Sequence, residues 1–436
     1  MAKTVRIFTL GCKVNQYESE AVAEAFERAG FPLSAPDAPA DIYVINSCTV
    51  TKESDRKARQ MIRRVAKENP KALILVTGCY AQSKPNEVAS LPHVHYICGS
   101  DNKLSLINAA RLLLAAEKLP EKPIIAVNDI ENAVFEPMCI TRFSRTRAYV
   151  KIEDGCENRC TYCAIPAARG RVRSKSLEAI VDEVKALVEG GCLEVVLTGI
   201  ETASWGRDLG KQRLPDLLEA VDKIAGSARI RLGSLDPSLF HPETVKRLAS
   251  LNHLAPHFHL SVQSGSSAVL AAMKRKYNRE QALAGIRLLR EAMPEVELTA
   301  DFIVGFPGES EADFTDTLAL AKEAEFLQMH VFAYSPREGT PAADMTGQID
   351  EATKKARSAA LIACGEELRL ARMRRALQSP ARYVLFETYE NRLAIGHTEE
   401  FFTVAMPNEA PLHGKLLPVR LIEIKNGMLY AERRDG

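Results

Sequence analysis

Three strand-like runs near the start of the chain each end in a small residue followed by a cysteine: Gly11-Cys12, Ser47-Cys48 and Gly78-Cys79. The runs are residues 4–10, 41–46 and 72–77. Helical periodicity fills the gaps over 19–29 and over a basic stretch, 51–68, that stops at Asn69-Pro70. Strand, helix, strand, helix, strand at this spacing predicts parallel βαβ units. In an open parallel sheet the carboxyl ends of neighbouring strands face one crevice, so Cys12, Cys48 and Cys79 are expected to converge there. One free cysteine is ordinarily a small buried hydrophobe. Three at equivalent strand ends point to a shared ligand.

These are three of ten cysteines in 436 residues, too few for a disulfide scaffold and suited to metal binding or chemistry in a reducing compartment. Hydrophobic residues make up 46% and charged residues 26%, which excludes a wholly disordered chain. No apolar run reaches the roughly 18–20 residues of a spanning helix. The first residues lack the apolar stretch of a signal peptide. A cytoplasmic enzyme with no membrane association is expected. Cys98, Cys139, Cys192 and Cys364 show no pattern and are expected to be structural.

The length suggests about three domains. After a helix at about 102–117 and a linker, 119–141, a longer α/β series runs from about 142 to 374. Its strands are expected at 148–153, 193–198, 229–234, 257–262, 297–302 and 328–332, with a last long helix at 351–377. Six strands with intervening helices suit a partial (β/α)6 barrel. From 375 to 436 five short strands separated by turns suggest a small β-barrel. The fold class is therefore α/β: an open α/β domain at 1–118, a partial barrel at 142–374 and a small barrel at 375–436.

The strongest local signal is Cys156-Glu-Asn-Arg-Cys160-Thr-Tyr-Cys163. Structural zinc takes four protein ligands, and no fourth Cys or His is nearby. A [4Fe–4S] cluster held by three thiolates keeps one iron open for a substrate or cofactor. The motif follows the first strand of the second series, at the end of a barrel where active sites lie. This CxxxCxxC spacing, with Tyr162 before the last cysteine, resembles the radical S-adenosylmethionine (SAM) superfamily. That resemblance implies SAM chelated to the open iron and cleaved to a 5′-deoxyadenosyl radical. It also implies SAM contacts from Tyr162, from Gly199 after the second strand, from Ser261 and Gln263 at the end of another, and from Gly305 in Val304-Gly305-Phe306-Pro307-Gly308. By residue type alone, Gly305 also suits a structural turn, and Ser261 and Gln263 also suit a helix cap.

The whole chain resembles the methylthiotransferase family, in which the small terminal barrel is a TRAM domain, an RNA-binding module of OB-like shape. The resemblance implies two [4Fe–4S] clusters, the second held by Cys12, Cys48 and Cys79 and carrying the sulfur to be inserted. It also implies two uses of SAM, as methyl donor and as radical source. Leu10-Gly11-Cys12-Lys13-Val14-Asn15-Gln16, Asn46-Ser47-Cys48-Thr49-Val50-Thr51 and Phe332-Ala333-Tyr334-Ser335-Pro336-Arg337 are similar to the branch that modifies C2 of N6-threonylcarbamoyladenosine at position 37 of tRNA. Sister branches act on isopentenyladenosine 37 or on an aspartate of a ribosomal protein. Ala167, where the family commonly has Tyr, and the Glu201–Gly206 loop depart from the pattern. The implied partners are the anticodon loop of tRNA and an electron donor such as a flavodoxin or ferredoxin, with the enzyme expected as a monomer. The competing class is an RNA-binding protein with structural metal sites.

Net charge is +1, so RNA binding must rest on local placement of basic residues. Candidate groups are 56–67, Arg169 to Lys175 beside the cysteine loop, 274–279 and 369–375. Phe401, Phe402 and Tyr430 are each expected either to stack on bases or to fill the terminal barrel.

Overall fold

The computed structural model describes residues 2–36 and 38–434. Strands β1 (Val5–Thr9), β2 (Ile42–Ser47), β3 (Leu73–Gly78), β4 (Val94–Cys98) and β5 (Ile124–Ala126) form one parallel sheet in sequence order. All residues of β2 and β3 are buried, as expected of central parallel strands covered on both faces. The segment expected as a linker contributes β5 as the sheet's edge.

Helix α1 (Lys13–Arg28) starts at once after Cys12, six residues before the expected start. The polar run Lys13–Glu18 hid its beginning, because Asn15 and Glu18 are buried polar residues with partners elsewhere in the chain. Helix α2 (Lys52–Glu68) begins where Thr51 accepts the Ser54 N–H, and it buries Ala58, Ile62, Val65 and Ala66 against the sheet. Short helices α3 (Cys79–Ser83) and α4 (Pro85–Ala89) follow β3, and α5 (Ser105–Ala115) follows β4.

The second series builds a curved parallel wall. Strands β6 (Ala148–Lys151), β9 (Glu194–Thr198) and β10 (Arg229–Leu232) pair in the order β10-β9-β6. The chain of β10 runs on into β11 (Ser234–Leu235), which starts the order β11-β12-β13-β14 with β12 (His257–Gln263), β13 (Glu297–Val304) and β14 (Gln328–Ala333). A two-residue ribbon, β7 (Glu153–Asp154) with β8 (Arg173–Ser174), brackets the cysteine loop and helix α6 (Ile165–Arg169). Among the described residues no strand pairing joins β14 to β6, so the wall is open on that side, and α1 packs against β6. One apolar core runs through both bodies, from Val5, Tyr17 and Ile42 to Val150, Val196 and Leu260.

The last strands, β15 (Ala381–Glu390), β16 (Leu393–His397), β17 (Thr403–Pro407), β18 (Leu416–Lys425) and β19 (Met428–Arg433), close into the expected small barrel. Phe402 fills its core. Phe401 lies just before β17, at φ +77°. Its ring is stacked between His257 and His397 at centroid distances of 4.6 Å each, with the Arg231 and Arg147 guanidinium groups 4.9 and 5.3 Å from its centroid. This cage plugs the small barrel onto the end of the wall, so Phe401 is not available to stack on a base. The Arg231 guanidinium also donates to the Glu399 carbonyl at 3.0 Å.

Such a cage contributes about 2 kcal/mol through aromatic and cation–π contacts. Phe401→Ala is expected to uncouple the terminal barrel, giving a separate, earlier thermal transition by calorimetry. A single transition at the native temperature would show that the plug carries no stability.

Candidate functional site

Register brings the first triad together. Thr9 pairs with Asn46, and Ser47 with Gly78, so Cys12, Cys48 and Cys79 leave adjacent strands at one level. Gly11 lies at φ +107°, and a Cβ there would sit 2.7 Å from the Cys48 Cβ. Only glycine allows Cys12 this close to Cys48. Burial pushes the Cys48 thiol up to about 11, with the Cys79 and Cys12 thiols adding to the effect.

Asn15, on the first turn of α1, donates to the Leu10 and Ser47 carbonyls at 2.7 and 3.0 Å, tying the loops that carry Cys12 and Cys48. Its Oδ1 accepts from Arg169 Nη2 at 2.7 Å. Arg169 Nε in turn donates to Cys79 Sγ at 3.1 Å, and its Nη1 to Glu18 at 2.5 Å and to Asp154 at 3.1 Å. Lys151 and Lys103 reach Glu18 at 3.0 and 3.3 Å. Burial opposes ionisation of Glu18, yet Arg169, Lys103 and Lys151 hold its carboxyl well below the usual range. The same contest, led by Arg169 and Lys151, leaves Asp154 at about 2.

The second triad sits on a loop anchored at several points. Cys156 N–H donates to the Gly170 carbonyl at 3.0 Å, Asn158 N–H to Cys156 Sγ at 3.4 Å and Thr161 N–H to the Met273 carbonyl at 3.1 Å. Arg275 Nη1 donates to Cys160 Sγ at 3.3 Å, while its Nη2 bonds Asp236 at 2.7 Å and the Ser261 carbonyl at 3.1 Å. Burial pushes Cys163 up to about 11, with the Cys160 thiol adding to it, and Cys156 up to about 12, with Glu201 and the Cys163 thiol adding. Beside Cys156, burial and Asp236 raise Glu201 to about 7. Glu153 Oε1, Asn158 Oδ1 and Glu201 Oε1 are buried there without hydrogen-bond partners, so the pocket beside the loop is built for a polar guest.

A cavity of about 260 Å³ opens beside Cys163. Cys163 and Tyr162 line one side, Val50 and Thr51, just past Cys48, another, and Gln263 and Asp301 the wall. Gln263 adopts φ +68° at the end of β12. Ser261 reaches the loop only through its carbonyl and Arg275. Gly199 abuts Glu153, whose Oε2 a Cβ would meet at 2.5 Å. Gly305 faces Lys354 and not the cysteine loop.

Sequence reasoning did not find Asn15, Glu18, Asn158 or Glu201, and it grouped Arg169 and Arg275 with phosphate-binding surface. Arg169, Arg173 and Lys175 are buried, and only Arg171 of that group is exposed. The available signal was the pair Asn15 and Glu18, one turn apart on the face of α1 that follows Cys12. Of the four cysteines expected to be structural, Cys98, Cys192 and Cys364 are buried and Cys139 is exposed.

Residues 4–99 match the family described as Uncharacterized protein family UPF0004, and residues 150–321 match the Radical SAM superfamily. The chain is 38% identical over 436 residues to the threonylcarbamoyladenosine tRNA methylthiotransferase MtaB of Bacillus subtilis, covering 98% of this chain and 95% of that one. It is 40% identical to the protein of the same name from Thermotoga maritima, covering 92% and 90%. It is 36% identical to a tRNA-2-methylthio-N(6)-dimethylallyladenosine synthase of Moorella thermoacetica, covering 100% and 99%. Among solved structures it shares a fold with the radical SAM methyltransferase TsrM of Kitasatospora setae, at TM-score 0.56 and 15% identity, over 79% of this chain and 77% of that one. The two matched segments each carry one cysteine triad, and the relatives align from end to end. The chain belongs to the radical SAM tRNA methylthiotransferase family.

Proposed function

We propose that this enzyme methylthiolates C2 of N6-threonylcarbamoyladenosine at position 37 of tRNA. The observation that carries the reading is the pair of cysteine triads, bridged by Arg169, in a chain whose relatives of that name match it over nearly its full length. In this reading Cys156, Cys160 and Cys163 hold the radical-generating [4Fe–4S] cluster, and Cys12, Cys48 and Cys79 hold the auxiliary one.

The donor sets fit such groups. Each triad offers three sulfurs, and burial raises the thiol pKa of Cys48 in one and of Cys156 and Cys163 in the other, a state relieved when a metal centre binds thiolates. Both have an N–H donor on sulfur, from Arg169 and from Arg275, of the kind that tunes a cluster. When bound, the cluster at Cys156–Cys163 supplies the electron that cleaves SAM to a carbon radical.

The chain's own residues do the rest. Asn158, Glu201 and Glu153 present unsatisfied polar atoms for the methionine end of SAM, and Tyr162, Gln263 and the backbone near Gly199 and Ser261 bound the remainder. Gly305 supports this pocket through the packing of its loop. The cavity walls keep water from the reacting carbon and hold the base between the triads. We place the enzyme in the cytoplasm as a monomer served by a flavodoxin or ferredoxin. All ten of its cysteines are free, and no helix among the described residues is long and apolar enough to cross a membrane.

Mass spectrometry of tRNA nucleosides from cells lacking and then regaining the gene tests the substrate. Methylthio-threonylcarbamoyladenosine should vanish and return, whereas loss of methylthio-isopentenyladenosine instead would move the chain to the sister branch. Cys160→Ala is expected to abolish SAM cleavage, measured as 5′-deoxyadenosine by chromatography, and native-rate cleavage would refute the radical site. Cys48→Ala should retain SAM cleavage yet form no methylthiolated nucleoside. Full product from that variant would misplace the auxiliary site.

A further inference from the structure

Arg337 sits just past β14, lines the cavity beside Cys163 and is buried. Its Nη2 donates to Thr49 Oγ1 and to Asp55 Oδ2 at 2.8 Å each, and Thr49 also donates to Asp55 Oδ1 at 2.7 Å. The guanidinium is thereby tied to the residue after Cys48 and to the first turn of α2, on the side of the cavity formed by Val50 and Thr51. Asp55 balances its charge, but the Arg337 Nε–H is buried with no acceptor among the described residues. Tyr334 lines the same cavity and is buried too, and its hydroxyl meets no partner among the described residues. A buried donor left unmet is costly, so two of them at one cavity mark the place of a guest that carries acceptors.

Because Asp55 already balances the guanidinium, the unmet Nε–H suits a neutral acceptor better than a second carboxylate. Asp301, the acid in the lining, is engaged by His259 at 3.1 Å. Val50 and Phe332 line the cavity while staying 52% and 49% exposed, so its mouth has apolar faces for a flat ring. Adenine meets both demands. Its C2, the carbon proposed to take the methylthio group, lies between the ring nitrogens N1 and N3. In threonylcarbamoyladenosine the distal N–H of the substituent folds back onto N1, which leaves N3 as the open acceptor beside C2. We infer that Arg337 donates from Nε to N3 of the target adenine and is the positioning residue that turns C2 toward the triad of Cys12, Cys48 and Cys79. The inference rests on the proposed target carbon and adds the group that orients it. It does not depend on which N6 substituent the base carries.

Full-length, anaerobically reconstituted protein and two anticodon stem-loop RNAs test this. One RNA carries threonylcarbamoyladenosine at position 37 and the other its 3-deaza form, in which C–H replaces N3. Binding is measured by fluorescence anisotropy. The native protein should bind the 3-deaza RNA about tenfold more weakly. Arg337→Lys keeps a cation for Asp55, Arg337→Met keeps the length without a donor, and both lack the Nε–H. Each should bind the unaltered RNA about tenfold more weakly than the native protein does, with less than about twofold further loss on the 3-deaza RNA. Equal affinity of the native protein for the two RNAs would overturn the inference, and that comparison needs no variant. A 3-deaza loss that persists in full in the variants would assign Arg337 to tying β14 to α2 and overturn it as well. Failure of both variants to fold would give the same structural assignment. Each of these results leaves the substrate reading intact, because that reading is decided by the nucleosides recovered from cells.

Discussion

Arg169 is the contact on which the arrangement of the two triads depends. Its guanidinium is fully buried and touches Cys79, Asn15, Glu18 and Asp154 at once, so one side chain belongs to the sulfur-bearing sheet and to the cysteine loop of the wall. Burying an arginine costs several kcal/mol unless every donor is met by geometry of this quality. Arg169, Lys151, Lys103 and Arg173 ion-pair with Glu18 and Asp154, and Glu136 also faces Lys103 and Lys151. Arg169 lies against Cys79 as well, where thiolate sulfur would add to the balance.

That contact also limits how far apart the triads can lie. Cys163 ends the second triad, and six residues later Arg169 reaches Cys79 of the first, a span on the order of 10 Å of chain. Helix α6 occupies that span, with Gly170 at its end in a conformation, φ +68°, that lets the chain turn back to pair β8 with β7. The Phe401 plug holds the opposite end of the wall. The cavity lined by Cys163 on one side and by Val50 and Thr51, just past Cys48, on another therefore lies between bodies fixed at two points.

Much of this was legible in the sequence because it rests on periodicity. The three strand-end cysteines follow from βαβ spacing, and the CxxxCxxC loop reads locally. What was hidden depends on contacts between distant segments. The start of α1 was obscured because Asn15 and Glu18, polar residues on a buried face, answer to Arg169 more than 150 positions away. Arg169 and Arg275 read as surface charge because charge alone does not reveal burial. Strand β5 is only three residues long and carries too little pattern to separate from a linker. Phe401 precedes β17, and its cage is built from residues on four other segments.

The central claim is that this chain carries two separate three-thiolate iron–sulfur sites joined through Arg169. Iron and acid-labile sulfide counted on anaerobically reconstituted full-length protein test it most directly. The account predicts about eight irons per chain, falling to about four when either Cys12, Cys48 and Cys79 or Cys156, Cys160 and Cys163 are replaced by alanine. About one zinc per chain without sulfide, or an iron content indifferent to replacement of the first triad, would contradict it.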